Sequence, residues 1–525
     1  MASAPASSLR DAKALHRAGD LAGAERAYEA LLRDDPADAE ALQFLGVLRL
    51  QQGRRGDAIA LLERALAIAP SNLACLNNLG NALHAAGRHA DAAVRYRAAL
   101  ELAPGNVEVL ANLGSALAAA ARYEEALAAC DEALSRGART ARVLAKRAIA
   151  LSGLDRLEEA LVAFDEALSL DPSSVEAHRN RGVALHALAR DADAIAAYRR
   201  AIELQPGDPE AHWNLGHALL RAGRTSEAWP EYEWRWKKRD HAGLDARVPG
   251  PRWTGAEPLG GRTVLVHAEQ GIGDTLLAVR WIAPLARAGA RVVLEVQPRL
   301  VPLLAGLPGA ERVIARGDPL PPYDLQCPLL SLPLALSRVA ASEAAAVPYL
   351  VPDAARASRW REVLAPVKEL RAALVWAGAR GYGNDRKRSI PPREVAPLLA
   401  VPGVRWYALQ NDVDDEARAA FSEVGSMAGR IEYVGERLPD FAEIAAFMEN
   451  LDLVVTVDTS FGNLAGALGR PLWMLLARSP DWRWGLGCDT GPWYPSARLF
   501  RQDDDATWPP VIARIAAALA EKARA

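Results

Sequence analysis

The sequence predicts an α solenoid of helix-turn-helix repeats followed by an α/β region of two parallel-sheet lobes. Three observations carry this. A 34-residue period runs through the first 240 residues. All fourteen tryptophans lie at or after Trp213, so the chain changes character where the period ends. Beyond residue 261, short apolar runs alternate with helix-like stretches, as strands joined by crossover helices do.

The period shows in three registers. Gly46, Gly80, Gly114, Gly182 and Gly216 share one, with Ala148 filling the sixth slot. Ala24, Ala58, Ala92, Ala126, Ala160, Ala194 and Ala228 share another, and Pro36, Pro70, Pro104, Pro172 and Pro206 a third. Small residues belong where two helices cross closely, and proline where one repeat stops and the next begins. This is the spacing and residue choice of tetratricopeptide repeats. It sets repeats at 9–40, 41–74, 75–108, 109–142, 143–176, 177–210 and 211–240. The last departs from the pattern at Trp229-Pro230-Glu231-Tyr232-Glu233-Trp234-Arg235-Trp236-Lys237, an aromatic helix suited to packing on a following domain.

Composition bounds the rest. A chain of 525 residues calls for two or three domains, and half of its residues are apolar. Net charge is −3 with no long basic run, which argues against binding nucleic acid through its phosphates. No apolar stretch approaches the ~20 residues of a membrane span, and Met1 to Asp20 lack a signal-peptide core. The four cysteines, Cys75, Cys130, Cys327 and Cys488, are far apart, so neither a zinc site nor a disulfide framework is expected. A soluble cytoplasmic protein is the expectation.

Residues 241–261, rich in proline and glycine, read as a connector. Strands are predicted at 263–267, 291–296, 372–376, 404–409, 453–457 and 471–476, with helices between. The pattern weakens through the proline-rich 317–333, and 508–525 reads as an amphipathic helix. Two lobes follow, 262–355 and 356–525.

Four segments are placed to carry chemistry. In His267-Ala268-Glu269-Gln270-Gly271-Ile272-Gly273-Asp274-Thr275, Gly271 and Gly273 permit a tight βα turn and close approach to a ligand. The same pattern serves a plain turn in which Asp274 caps the helix. Asn384-Asp385-Arg386-Lys387-Arg388-Ser389 either clamps an anion or is a solvated basic loop. Val457-Asp458-Thr459-Ser460 runs from a strand into a small-residue helix, whose N-terminus suits a diphosphate or is simply capped. Ser479-Pro480-Asp481-Trp482-Arg483-Trp484, with Pro492-Trp493-Tyr494-Pro495 behind it, is a ligand platform or a core patch.

HAEQGIGDTL, NDRKRSI, Trp406-Tyr407-Ala408-Leu409-Gln410, VDTSFGNLAGALGRP and PDWRW…PWYPSARLFRQ, in this order after the repeats, resemble bacterial repeat-fused glycosyltransferases. The C-terminal half is similar to the heptosyltransferase family (glycosyltransferase family 9). The overall plan is similar to O-linked N-acetylglucosamine transferase. The resemblance implies a TPR superhelix followed by a GT-B fold of two doubly wound lobes, with inverting, metal-independent transfer from a nucleotide-sugar co-substrate and no cofactor. It matches Asp274 to the family's proposed base. All nine histidines lie at or before His267, so a participating histidine would be His267, which also reads as a strand-end histidine satisfied by backbone. Gly271 and Gly273 fall in the donor turn, and Asp458, Thr459 and Ser460 in the phosphate-binding turn. Arg386 and Arg388 lie where a cationic phosphate contact is expected, and Gln410 follows the strand lining the nucleotide pocket. Relatives carry histidine at the donor-site position of Asn463 and a basic residue at that of Asn411, so this chain lacks two cations there. In the repeats, Asn78, Asn112, Asn180 and Asn214 share a register matching an acceptor-peptide asparagine ladder on the concave face, although inter-helix hydrogen bonding would also explain them.

The function expected is a protein O-glycosyltransferase acting on Ser or Thr of a protein held by the repeats, with flagellin or another surface protein as acceptor. The alternatives are a scaffold with a degenerate GT-B half, or a transferase acting on a lipid-linked or polysaccharide acceptor.

Overall fold

A computed structural model describes residues 8–238, 247–339, 344–364, 366–378, 385–423 and 431–524. Seven antiparallel helix pairs run from Leu9–Arg17 with Leu21–Asp34 to Pro209–Arg221 with Thr225–Tyr232. The three registers have simple physical causes. All seven alanines of the alanine register are fully buried. At Gly46, Gly80 and Gly114 a Cβ would lie 2.8, 2.5 and 2.6 Å from Leu62, Tyr96 and Cys130, side chains of the second helix of the same pair. Glycine lets those helices touch. The prolines fall in the links, as between Asp34 and Ala39 or Leu204 and Pro209.

Two further 34-residue registers emerge. Asp38, Asn72, Asn106, Thr140, Ser174 and Asp208 each accept a backbone N–H at the start of a first helix. Each such cap contributes about 1 kcal/mol. Arg54, Arg88, Arg122, Arg156, Arg190 and Arg224 open the second helices and pair three residues on with Asp57, Asp91, Glu125, Glu159, Asp193 and Glu227. These pairs are exposed and contribute little each.

The chain divides into two compact units. One comprises residues 1–187 and 200–206, the other 188–199 and 207–525. The final repeat thus belongs to the same unit as the α/β region.

That region holds two all-parallel sheets. The first orders β1 (Thr263–His267), β2 (Arg291–Val296), β3 (Ala310–Ala315) and β4 (Leu325–Pro328) as β3-β2-β1-β4. The second contains β5 (Leu370–Val375), β6 (Val404–Ala408), β7 (Ile431–Tyr433), β8 (Leu453–Val457), β9 (Leu472–Leu476) and β10 (Ala497–Arg501). Its order, β7-β6-β5-β8-β9-β10, is that of a doubly wound dinucleotide-type sheet. Strands β3, β4, β7 and β10 escaped prediction: two are only three or four residues long, β3 alternates weakly, and β10 hides in an arginine- and aromatic-rich run. The tail forms the helix Pro509–Lys522, burying Val511, Ile512, Ile515 and Leu519 against the second sheet's core. Helix Ala354–Val363 joins the second lobe, since Arg356 and the Trp360 indole N–H both reach Glu443 at 2.9 and 2.8 Å. No helix among the described residues is long and apolar enough to cross a membrane.

Candidate functional site

Open parallel sheets bind ligands at the carboxyl ends of strands where the winding reverses. In the second sheet that point lies between β5 and β8. Trp376-Ala377-Gly378 leaves β5 and Asp458-Thr459-Ser460 leaves β8. Arg388, in the short helix Asp385–Arg388, joins the two turns. Its Nη1 donates to the Asp458 carbonyl at 2.9 Å and its Nε to Asp385 Oδ1 at 3.2 Å. A Cβ on Gly378 would sit 2.3 Å from the Arg388 guanidinium, so glycine is required for this arginine to reach across. The side chain of Arg386 lies outside the described residues.

Gln410 is committed to backbone. Its amide donates to the Ala377 carbonyl at 3.1 Å and its oxygen accepts the Ala377 N–H at 3.4 Å. The Asn411 carboxamide nitrogen donates to the carbonyls of Leu409 at 3.3 Å and Gly435 at 3.0 Å. Asn463 requires a correction. It is 2% exposed, donates to the Thr459 carbonyl at 3.1 Å and accepts the Tyr494 hydroxyl at 3.1 Å. Its carboxamide nitrogen and oxygen are each engaged within the protein. Thr459 opens the helix Ser460–Ala467 with no side-chain cap, its hydroxyl bonded instead to that of Thr456 at 3.0 Å.

In the first lobe, β1 leads through Ala268–Gly271 into the helix Ile272–Ala278. Asp274 caps the helix, the plainer reading of its sequence, and also reaches the second lobe. Its Oδ2 accepts the Gly271 N–H at 3.1 Å, while its Oδ1 pairs with Arg483 of the second lobe. Gly273 serves close approach between the lobes: a Cβ there would lie 3.0 Å from Asn463 Nδ2. His267 is turned to other work. Its Nε2 meets Gln326 Oε1 at 2.9 Å, and among the described residues no hydrogen bond joins it to Asp274. Burial pushes its imidazole down to about 4, so it is neutral near pH 7.

The electrostatics centre on Arg483, which bonds Asp274 and also donates to Asp481 Oδ1 at 2.6 Å. Burial holds the Asp274 carboxyl above the usual range; Arg483 opposes this and Asp481 adds to it. Burial, then Asp481, pushes Asp458 up to about 6. Among the described residues no three metal-ligating side chains converge.

The last repeat supports both loops of this pair. Fully buried Arg235 donates to Glu269 Oε1 at 3.0 Å, Glu233 Oε1 at 2.6 Å and Ser331 Oγ at 2.8 Å. Tyr232 Oη accepts from Gln270 at 3.3 Å. Arg221 binds Asp191 Oδ2 at 2.8 Å and reaches Ser479 Oγ at 2.5 Å, just before Asp481. Trp229, Trp281, Trp482 and Trp493 meet edge-to-face at 5.7–6.2 Å. The aromatic segments 229–237 and 479–484 signalled this docking and contain Arg235 and Arg483; the role of Arg221 had no signal beyond charge within an apolar run.

Asn78, Asn112, Asn180 and Asn214 are half-buried, each on the first helix of its pair. Asn112 donates to Asn77 Oδ1 at 3.0 Å. In the slot held by Lys146, the ammonium binds Glu176 at 2.6 Å.

Comparison with known proteins identifies the repeats. A tetratricopeptide-repeat family model matches residues 9–72, 146–209 and 190–240, and a second matches 83–149. Protein FlbA of Caulobacter vibrioides is 30% identical over 316 residues, 56% of this chain and 52% of the relative. The chain therefore spans about half the length of that curated relative. A tetratricopeptide repeat protein from Parabacteroides merdae is similar in structure at 20% identity, with TM-score 0.39, over 43% of this chain and 89% of its own. One from Thermus thermophilus is similar at 23% identity, with TM-score 0.32, over 35% and 99%. The chain is a tetratricopeptide-repeat solenoid carried into a two-sheet α/β region.

Proposed function

We propose that this protein transfers a sugar from a nucleotide-sugar to a hydroxyl of a protein held by the repeats. The reading is carried by the turn Asp458–Ser460, set at the winding reversal of a doubly wound sheet, beside Arg388 and across a seam from Asp274. The N-terminus of the helix Ser460–Ala467 supplies N–H groups and a positive dipole end to a diphosphate. The departing nucleoside diphosphate gains charge in the transition state, and Arg388 with those N–H groups stabilises it. Asp274 takes the proton of the acceptor hydroxyl. The half-buried asparagines present amides to an extended polypeptide.

Calorimetry with UDP-, GDP-, ADP- and CMP-sugars tests this, followed by assay of sugar release and of mass added to a co-purified protein. One donor should bind, and binding should weaken in Arg388→Ala. Turnover that persists in Asp274→Asn would remove Asp274 as base; no binding by any donor would defeat the transferase. A second reading, a scaffold with a degenerate α/β half, is favoured by the commitment of Gln410, Asn411 and Asn463 to internal hydrogen bonds. Under it the repeats alone retain the partner and no donor binds.

A further inference from the structure

The segment 479–484 brings one cation into a seam of three carboxylates, Asp274, Asp481 and Asp458. Arg483 is 8% exposed, and its guanidinium lies over the Trp482 ring at 5.0 Å. Nη1 is held by Asp481 at 2.6 Å and Nη2 by Asp274, while the buried Nε has no partner among the described residues. A guanidinium carries five donors in a fixed fork, matched to carboxylate or phosphate. Here one of its three nitrogens is unused at a buried site, where an unsatisfied N–H is costly. Its partner Asp274 adjoins Gly273, where a Cβ would lie 3.9 Å from the Cα of Ser460, the first residue of the helix whose N-cap Thr459 makes no side-chain cap. A buried cation with a spare donor thus lies close to an uncapped eight-residue helix.

We propose that Arg483 is an anion-binding residue which pairs with Asp274 before a ligand arrives and transfers to the diphosphate of a bound nucleotide-sugar, releasing Asp274. This rests on the reading above for the identity of the ligand. No bond is made or broken; one cation exchanges an internal carboxylate for a phosphate oxygen. The consequence is competition. Asp274 and the diphosphate contend for the same guanidinium, so removing the Asp274 charge strengthens anion binding. A merely structural ion pair predicts the opposite, because breaking it loosens the seam.

Calorimetry on the full chain with inorganic pyrophosphate, and separately with uridine and guanosine diphosphates, tests the exchange. Asp274→Asn should bind roughly tenfold more tightly than wild type, about the scale of one charge-assisted hydrogen bond. Arg483→Gln should bind roughly tenfold more weakly and Arg483→Lys nearer to wild type, since lysine keeps the charge but loses the fork. In the double variant Asp274→Asn/Arg483→Gln the gain should vanish. Should Arg483→Gln fail to fold, Asp274→Asn and Arg483→Lys still decide. Unchanged or weaker binding in Asp274→Asn, full affinity in Arg483→Gln, or no binding of any probe to wild type overturns the proposal. The expected pattern without sugar release from any donor would remove the transferase and leave the anion role standing. Sugar transfer with unaltered affinity in Asp274→Asn would do the reverse.

Discussion

Replacing Arg235 with alanine removes a fully buried cation beneath the last repeat. The side chain is fully buried, makes four hydrogen bonds, and stacks over Tyr232 and Trp236 at 4.8 and 4.7 Å. Without it, Glu269, with 3% of its side chain exposed, is a buried carboxylate with no cation. Breaking a buried pair from one side costs about 3–5 kcal/mol. All fourteen tryptophans lie in the compact unit that contains Arg235, so tryptophan emission reports that unit alone. With a guanidinium m-value of about 5 kcal/mol/M for a unit this large, the emission midpoint should fall by roughly 0.6–1 M. Far-UV circular dichroism should retain the later transition of the repeats that lack tryptophan. The double variant Arg235→Met/Glu269→Gln should recover more than half of the loss, because no buried charge then stands alone. A midpoint shift under about 0.2 M, or no recovery in the double variant, would refute the argument that the buried cation holds this docking together.

Gly80→Val places branched carbon where even a Cβ comes within 2.5 Å of the fully packed Tyr96 ring. It should cost the solenoid about 2–3 kcal/mol, seen by circular dichroism and not by tryptophan emission. His267, held down to about 4 against an ordinary 6.5, stays neutral in the folded chain while the unfolded chain takes up its proton. Stability should therefore fall as pH drops from 6.5 towards 4, by up to ~3 kcal/mol from this group, and His267→Gln should flatten the decline in emission midpoint. Asp458, raised to about 6, is an anion beside the proposed phosphate seat. Nucleotide-sugar affinity should rise several-fold from about pH 7.5 to about pH 5.5 as this carboxyl is neutralised, and Asp458→Asn should remove that rise while binding well at the higher pH. A flat profile in wild type would count against the seat.

The sequence by itself determined the parts that repeat or run long. Glycine, alanine and proline at fixed spacing specify helix pairs because the crossing geometry recurs every 34 residues, and the structure buries the alanines fully and leaves no room for a Cβ at Gly46, Gly80 and Gly114. Strands such as Thr263–His267 and Leu453–Val457 were legible because parallel strands are buried on both faces and read as unbroken apolar runs. The turns after β1 and β8 were legible as candidate sites for the same reason, since strand ends in such sheets are where the backbone opens.

Only tertiary structure decided which side chains share a contact. Asp274 and Arg483 are 209 residues apart, and no periodicity links them. Arg221 and Arg235 look like ordinary solenoid charges, yet each spans to a loop of the seam. Asn463 resembled a ligand contact until Thr459 and Tyr494 were found to consume both ends of its amide. The physical reason is common to all of these. A residue's type states which hydrogen bonds it can make, and burial obliges it to make them, but the chain's path alone supplies the partner.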